Sequence, residues 1–423
     1  MRLYSTLERS IVPLPEPPAR LGMYVCGPTV YARAHIGNAR PFLVFSWLAR
    51  WLRLRGYAVT LVHNITDVDD KIFVAAPGRS GERADEATAW YLEDTSRFGL
   101  DEVDHFPRVT ETMTEIVAFI VELVARDFAY DIDGAVYFRV SRWPEYGQLS
   151  GQRPTEVEEQ EPNPLKEDPR DFALWKASKP NEDRSWDSPW GRGRPGWHIE
   201  CSAMAAKLLG PVFEIHGGGV DIVFPHHENE LAQSRARGHE FARIWMHNGM
   251  LRFTGEKMSK SLGNVESIKA VLDRWGSETT LLFFLTAHWR SPIDFSDERL
   301  ADAQARAEGL REVFRNPSEP ASPDAWQRFE AALDDDFSTP EALALVHEWR
   351  DHELLRRALG VFGLSSLAKQ EEAPPELQEL ARARQEARTI REFAEADRLR
   401  TEIEAAGWEV RDDPEGFRLV PRP

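Results

Sequence analysis

Cysteine is nearly absent from this chain: Cys26 and Cys201 are the only two among 423 residues. Two thiols in so long a chain do not make a disulfide framework, so a hydrophobic core must hold the fold. Taken alone, such a pair reads as buried, inert small hydrophobes. No run reaches the about 18 uncharged apolar residues that a membrane-spanning helix needs. The start, Met1 to Arg9, lacks the apolar stretch of a signal peptide. A soluble, cytoplasmic protein is expected. Positive charge is also in deficit, with 52 Lys and Arg against 70 Asp and Glu and a formal net charge of −18. That balance argues against broad, non-specific nucleic-acid binding, although basic residues can still cluster on one face. Internal repeats and low-complexity tracts are lacking too.

What is present suits two to four packed domains, with 42% apolar residues. Gly22 to Cys26 reads as a buried strand that runs into a loop holding Gly27 and Pro28. Helical periodicity then runs from Ile36 through Phe42, Phe45, Leu48 and Leu52 to a stop at Gly56. Ala58 to Ile65 is a second strand. This β-α-β unit predicts an α/β fold with a parallel sheet and a ligand site at the carboxyl ends of its strands. The pattern from 85 to 127 is helical, Ala135 to Val140 a strand, and Thr155 to Asp171 an acidic, proline-rich loop. Residues 110–195 are read as an insertion. Pro211 to His216 is a further strand, followed by Gly217, Gly218 and Gly219. Beyond 295 the pattern predicts helices over 296–315, 324–334, 339–362 and 376–406, then a hairpin from Trp408 to Val420. The prolines and acids between Gln370 and Pro375 suggest a linker.

Three motifs carry chemistry. His35-Ile36-Gly37-Asn38 stands at a strand–helix junction, where free backbone N–H groups favour anions. Gly37 lets a ligand approach the backbone, and His35 and Asn38 can donate to phosphate oxygens. The second motif, Lys257-Met258-Ser259-Lys260-Ser261, lies between Gly255 and Gly263. Two lysines on a glycine-bounded loop can close over a polyphosphate and stabilise developing charge. Singly, each also fits a bland reading, a structural histidine or a solvated turn. The third constellation gathers Trp197 to Met204, His216 to Asp221 and Phe224 to Glu230. His226 and Glu230 are four apart, hence on one helical face, and Pro225 suits the first helical position. With Cys26 and Cys201 they offer two sulfurs, a nitrogen and an oxygen, all acceptable zinc ligands. The spacing is not that of a local zinc finger, so a buried histidine and a surface carboxylate remain alternatives.

The His-Ile-Gly and Lys-Met-Ser-Lys-Ser pair resembles the signatures of class I aminoacyl-tRNA synthetases. Adding Met23 to Tyr31, Asn64 to Ile72, the third constellation and Leu333 to Pro340, the chain resembles the cysteinyl-tRNA synthetase family over almost its whole length. The resemblance implies a Rossmann-like catalytic domain over 1–295 with the insertion at 110–195. It further implies a helical tRNA-binding bundle over 296–368 and a small α+β anticodon-side segment over 369–423. It implies a cysteine–tRNA ligase that uses ATP with Mg²⁺ and carries one Zn²⁺ on Cys26, Cys201, His226 and Glu230. His35, Asn38, Lys257 and Lys260 would hold phosphates, and Gly37, Gly217, Gly218, Gly219 and Asp221 would line the ATP site. Thr66, Trp197 and Asp221 would face the amino acid. The partners implied are L-cysteine, ATP and tRNA(Cys), with a monomeric protein and no membrane. Zinc would bind the substrate thiolate and so separate cysteine from nearly isosteric serine, which shape alone discriminates poorly. Two departures stand out: Asn38 replaces the family's usual second histidine, and the C-terminal region is short. The rival readings are a ligase passing cysteine to an amino sugar and a non-catalytic tRNA-binding paralogue. Arg382, Arg384, Arg388 and Arg391 offer a tRNA backbone contact or, with the interleaved glutamates, a salt-bridged helix face.

Overall fold

The computed structural model describes residues 1–152, 163–253, 256–257, 266–369, 372–413 and 416–422. The chain begins with an antiparallel pair, β1 (Arg2–Ser5) and β2 (Ser10–Pro13). Next come β3 (Arg20–Val25), α1 (Ala39–Leu54) and β4 (Ala58–His63), then α2 (Asp70–Ala75) and α3 (Ser80–Ser96). Helix α4 (Met113–Ala125) leads into an antiparallel sheet of β5 (Ala129–Ile132), β6 (Ala135–Phe138), β7 (Phe172–Ala177) and β8 (Gly193–Pro195). The chain returns through α5 (Trp197–Leu209), β9 (Val212–Gly219), α6 (Glu228–Ala236) and β10 (Phe241–Asn248). After β11 (Leu251–Phe253), β12 (Glu256–Lys257), α7 (Ile268–Leu285) and β13 (Ile293–Phe295), the rest is mostly helical. It comprises α8 (Asp297–Arg315), α9 (Ala325–Asp334), α10 (Thr339–Glu348), α11 (His352–Val361), α12 (Pro375–Thr389), α13 (Phe393–Ala405) and the hairpin β14 (Trp408–Asp413) and β15 (Gly416–Pro421). Among the described residues, no helix is long and apolar enough to cross a membrane.

The central sheet is parallel, in the order β10-β9-β3-β4. Its two faces carry separate cores because successive side chains point opposite ways. Met23 and Val25 pack with α1, whereas Tyr24 packs with the α5 residues Cys201 and Met204. Helix α1 is buried along most of its length, leaving Arg50 and Arg53 partly exposed and Leu54 exposed near its end. It stops at Gly56, whose φ of 90° only glycine adopts without strain. The helical bundle seats on α1: Trp47 Nε1 donates to the Phe362 carbonyl at 3.0 Å and Trp51 Nε1 to Asp334 Oδ1 at 3.0 Å. Burying an aromatic side chain of this size stabilises by roughly 2–3 kcal/mol.

Three helical expectations differ from the structure. The pattern over 85–127 is interrupted after Ser96, where Gly99 (φ 66°) turns the chain. The segment then runs along the edge of β4 through bridges Val62–His105 and Ile65–Arg108 before α4 begins. The stretch 339–362 is two helices because Asp351 caps the second, accepting from the Glu353 and Leu354 amides at 3.1 and 3.0 Å. The stretch 376–406 breaks at Arg391, whose backbone is left-handed (φ 65°).

Register makes the site. Val25 lies opposite both His63 and Gly217, while His247 and Asn248 lie opposite Gly218 and Gly219. All four strands therefore end in one row, and Cys26, Asn64, Gly219 and Asn248 emerge together at the carboxyl edge.

Candidate active site

Cys26 leaves β3 with its amide bonded to the Gly217 carbonyl at 3.0 Å. Its Sγ lies 3.4 Å from His226 Nε2 and 3.3 Å from Glu230 Oε1. His226 Nε2 and Glu230 Oε1 are 3.1 Å apart, as a shared helical face requires. Phe224 is extended (φ −129°, ψ 135°) and joined to Pro225 by a cis bond, and it is the only non-helical residue in the turn Val223–His227 that runs into α6 at Glu228. Pro225 thus opens the helical turn that continues into α6, preceded by an extended residue as a proline at that position requires.

The ligating atoms of Cys26, His226, His227 and Glu230 all lie within 4.8 Å of one another, and all four residues are buried. Cys201, on α5, lies beside this set with its Sγ 3.7 Å from Asn64 Oδ1. Burial pushes the Cys201 thiol up, but hydrogen bonds with Cys26 and His226 and the charge of His226 bring it down to about 6. Burial alone would lower His226, yet Glu230 and Cys201 raise it to about 10. Glu230, which burial would raise, is pulled to about 2 by His216 and His226.

Further histidines surround the cluster. The Tyr24 carbonyl can only accept, so His216 Nδ1–H donates to it at 3.1 Å while Nε2 meets Glu230 Oε2 at 3.0 Å. His198 Nδ1 contacts His226 Nδ1 at 3.0 Å, and Trp197 stacks on the His226 ring with centroids 4.2 Å apart. His227 Nδ1 meets His247 Nε2 at 2.7 Å. His227 Nε2 is buried without a partner among the described residues and points toward Glu230 Oε1, 4.0 Å away. Burial drives His198 and His227 well below the usual histidine range. An orphaned nitrogen beside a thiol, an imidazole and a carboxylate is a donor set that fits a thiophilic divalent cation. A Cys26 thiolate would need such a cation, because burial holds its thiol well above the ordinary range.

A cavity of about 190 Å³ reaches this cluster through Cys26 and is further lined by His35, Gly37, Asn38, Gly219 and Asp221 along with His63, Tyr91 and Asn248 to Leu251. Gly37 lies directly under the His35 ring, where a Cβ would sit 3.0 Å from Nδ1. Gly217 and Gly218 lie behind the lining. A Cβ on Gly217 would strike the Phe45 ring at 2.1 Å, and one on Gly218 would meet Ile222 at 2.7 Å. Thr66 is buried, its Oγ1 donating to Glu200 Oε2 at 3.2 Å and accepting from Asn64 Nδ2 at 3.3 Å. Lys257 sits in β12, opposite Arg252 in the hairpin that leaves the cavity rim; Lys260 lies outside the described residues.

The sequence reading did not single out Asn64, His227, Glu228 or Asn229. Glu228 is fully buried and accepts from the Gly147, Leu149 and Ser150 amides at 2.9, 3.1 and 2.8 Å. Asn229 Oδ1 accepts from Tyr146 at 2.5 Å. These two residues pin the excursion beside the cluster. Their signal was local: they share one unbroken polar run with His226 and Glu230.

Residues 14–305 match the family described as tRNA synthetases class I (C) catalytic domain, and residues 370–417 the cysteinyl-tRNA ligase anticodon binding domain. A curated cysteine–tRNA ligase of Methylobacillus flagellatus is 44% identical over 450 residues, covering 98% of each chain. That of Halorhodospira halophila is 43% identical over 455 residues, covering 99% of each. Among solved structures, Mycobacterium tuberculosis methionyl-tRNA synthetase in complex with methionyl-adenylate aligns with a TM-score of 0.60 at 16% identity. That alignment covers 82% of this chain and 88% of the other, a likeness of fold alone.

Proposed function

The chain belongs to the cysteine–tRNA ligase family of class I aminoacyl-tRNA synthetases, and from that premise we propose that its buried Cys26–Cys201–His226–Glu230 cluster selects the amino acid while the adjoining cavity holds ATP. The reaction is ligation in two steps. A cysteine carboxylate oxygen bonds to the α-phosphorus of ATP as the bond to pyrophosphate breaks. A hydroxyl of the terminal tRNA ribose then attacks the adenylate carbonyl, and AMP leaves. Positioning and charge stabilisation dominate such a transfer.

Zn²⁺ on Cys26, Cys201, His226 and Glu230 supplies a soft Lewis acid that favours a thiolate over a hydroxyl. The chain's own groups do the rest. His198 and His216 orient the ligating side chains of His226 and Glu230, as hydrogen-bonded neighbours of metal ligands do. Trp197, stacked on His226, and Thr66 close the amino-acid side. His35 and Asn38 donate to phosphate oxygens at the helix start, where Asn38 offers a hydrogen bond without charge. Gly37 and Gly219 leave room for the nucleotide, Gly217 and Gly218 keep the sheet edge thin behind it, and Asp221 binds ribose or the substrate amine. Lys257 and Lys260 close over the pyrophosphate leaving group, with Mg²⁺ accompanying ATP.

Residues 1–295, with the excursion at 110–195, form the catalytic unit in this reading; 296–368 bind tRNA(Cys), and 369–423 reach its anticodon side. The protein works as a cytoplasmic monomer. The observation that carries the reading is the convergence of sulfur, imidazole and carboxylate behind the Cys26 wall of the cavity that His35 and Asn38 also line. Purified protein is expected to carry about one zinc per chain and to load radiolabelled cysteine onto tRNA. Cysteine transfer to an amino sugar instead of tRNA, or undiminished discrimination against serine after complete metal removal, would overturn it.

The arginines of α12 divide by environment. Arg384 is buried and clamps Asp412 of the hairpin at 2.7 and 3.1 Å, and Arg388 pairs with the same carboxylate. They are struts of the terminal unit. Arg382 and Arg391 are exposed. Changing both to alanine is expected to weaken tRNA binding about 5- to 10-fold through lost phosphate contacts, more at low salt. Cysteine-dependent ATP–pyrophosphate exchange should stay at the wild-type level. Filter binding across a salt series checks this, and an unchanged affinity would remove the helix from the tRNA surface.

A further inference from the structure

Arg40 is a cation almost wholly buried, 1% exposed, with no carboxylate partner among the described residues. Burial lowers it to about 10, so it stays charged at neutral pH. Its guanidinium instead donates to four carbonyls on two separate segments. Nη1 reaches Gly249 at 2.7 Å and Met250 at 3.2 Å; Nη2 reaches His288 at 3.1 Å and Ser291 at 2.6 Å. Only a planar fork with several fixed donors spans both segments; a lysine ammonium cannot.

The two segments are zipped together beneath that fork. The Gly249 amide donates to the Trp289 carbonyl at 2.8 Å, and the Ile293 amide to the Met250 carbonyl at 3.0 Å. A Cβ on Gly249 would fall 2.3 Å from the Ser291 oxygen, so the backbones touch. Gly249 and Met250 line the cavity.

The far side of 288–291 is gripped by Asp336, between α9 and α10. Its carbonyl accepts from Trp289 Nε1 at 2.8 Å and His288 Nε2 at 3.0 Å, and its carboxylate from Arg290 Nε at 2.8 Å. Asp336 and Phe337 both adopt left-handed backbone (φ 54° and 50°), a strain that surrounding contacts must sustain.

We infer that Arg40 is a positioning residue, and that residues 288–291, held by Arg40 on the catalytic side and by Asp336 on the bundle side, form the joint through which the seat of the bundle sets the Gly249–Met250 rim of the nucleotide cavity. The inference rests on the reading of that cavity as the ATP site. Through this joint a partner that shifts the bundle shifts the affinity for ATP, while the amino-acid side at Cys26 and His226 is left alone.

The test measures cysteine-dependent ATP–pyrophosphate exchange, with zinc content and far-UV circular dichroism as controls. Arg40→Lys keeps the charge and loses the fork. It is expected to raise the KM for ATP about 10-fold, as a small misplacement of a binding group does, with the KM for cysteine and zinc content near wild type. Asp336→Asn tolerates the left-handed backbone, breaks the Arg290 pair and lies outside the cavity. It is expected to raise the ATP KM about 3-fold, with a double variant below the product of the two, as members of one network behave. An ATP KM unchanged by Asp336→Asn, effects that multiply, or ATP and cysteine KM values rising together would overturn the joint. If Arg40→Lys does not fold, Asp336→Asn alone decides by the same measure. A wild-type protein whose exchange showed no saturation with ATP would instead overturn the assignment of the cavity, and the joint with it.

Discussion

Cys26→Ser is expected to leave a folded protein that binds ATP normally and has lost its grip on cysteine. The change is nearly isosteric, so the packing of the β3 end is retained. The sulfur, however, sits 3.4 Å from His226 Nε2 and 3.3 Å from Glu230 Oε1 in a buried site. A hydroxyl there is a harder and much weaker zinc ligand than a thiolate. Loss of a group that merely orients a ligand costs about 10- to 100-fold in affinity or activity; loss of the ligand itself should exceed that. We expect zinc content to fall below half and kcat/KM for cysteine to drop about 10³-fold, a larger effect than that of an orienting group. The ATP KM should stay within about 2-fold, since the phosphate contacts come from the other end of the cavity. Metal analysis with exchange kinetics reads all three, and full zinc with an ordinary cysteine KM would remove Cys26 from the site.

The second large effect comes from one methyl group. In Gly27→Ala the new Cβ would lie 1.7 Å from the Asn64 carbonyl oxygen and 2.8 Å from its carbon. These are backbone atoms that cannot rotate away. Asn64 is fixed at the end of β4 by its neighbours, with the Ile65 amide on Pro107 at 2.9 Å and the Thr66 amide on Pro28 at 3.1 Å. Its side-chain oxygen also accepts from the Gly27 amide at 2.9 Å and from Cys201 Sγ at 3.7 Å. The clash therefore moves both cysteines. Overpacking of this kind costs about 1–3 kcal/mol of stability, and displacement by an ångström costs about 10²-fold in rate. Gly309→Ala is the control: it lies within α8 with nothing inside 4 Å of a new Cβ, so stability should rise slightly. Thermal unfolding and cysteine-dependent exchange report both. A Gly27→Ala enzyme with near-normal kcat/KM would show that the two strand ends tolerate separation.

Much of this was legible in the residues themselves. The β3-α1-β4 unit shows in the change from a short apolar run to helical periodicity and back, and Gly56 marks its turn. The pairing of His226 with Glu230 follows from a separation of four. Other features were not legible because they depend on distant chain. Nothing near Arg40 announces that four carbonyls, more than 200 residues downstream, will replace a carboxylate as its partners. Nor does the context of Asn64 announce that its side-chain oxygen will bond both the Gly27 amide and Cys201 Sγ. The split at Asp351 could have been read from its capping position, but periodicity continued across it. At Arg391 no glycine or proline marks the break, and the left-handed backbone there is imposed by how α13 returns over α12. Pro225 opens its turn as expected, and preceding Phe224 takes the extended conformation that a proline imposes on its neighbour.

The wide separation of the donors along the chain has a consequence for the order of synthesis. Cys26 emerges from the ribosome early, while Glu230 follows only after the excursion and α5 have been made. A nascent chain shorter than this holds its first thiol next to an empty strand end, with no imidazole or carboxylate to meet it. On the proposed zinc assignment, metal capture therefore follows assembly of β9 and α6 beside β3. Fragments ending before α6 are expected to leave Cys26 open to air and to alkylating reagents, whereas the complete catalytic unit shields it.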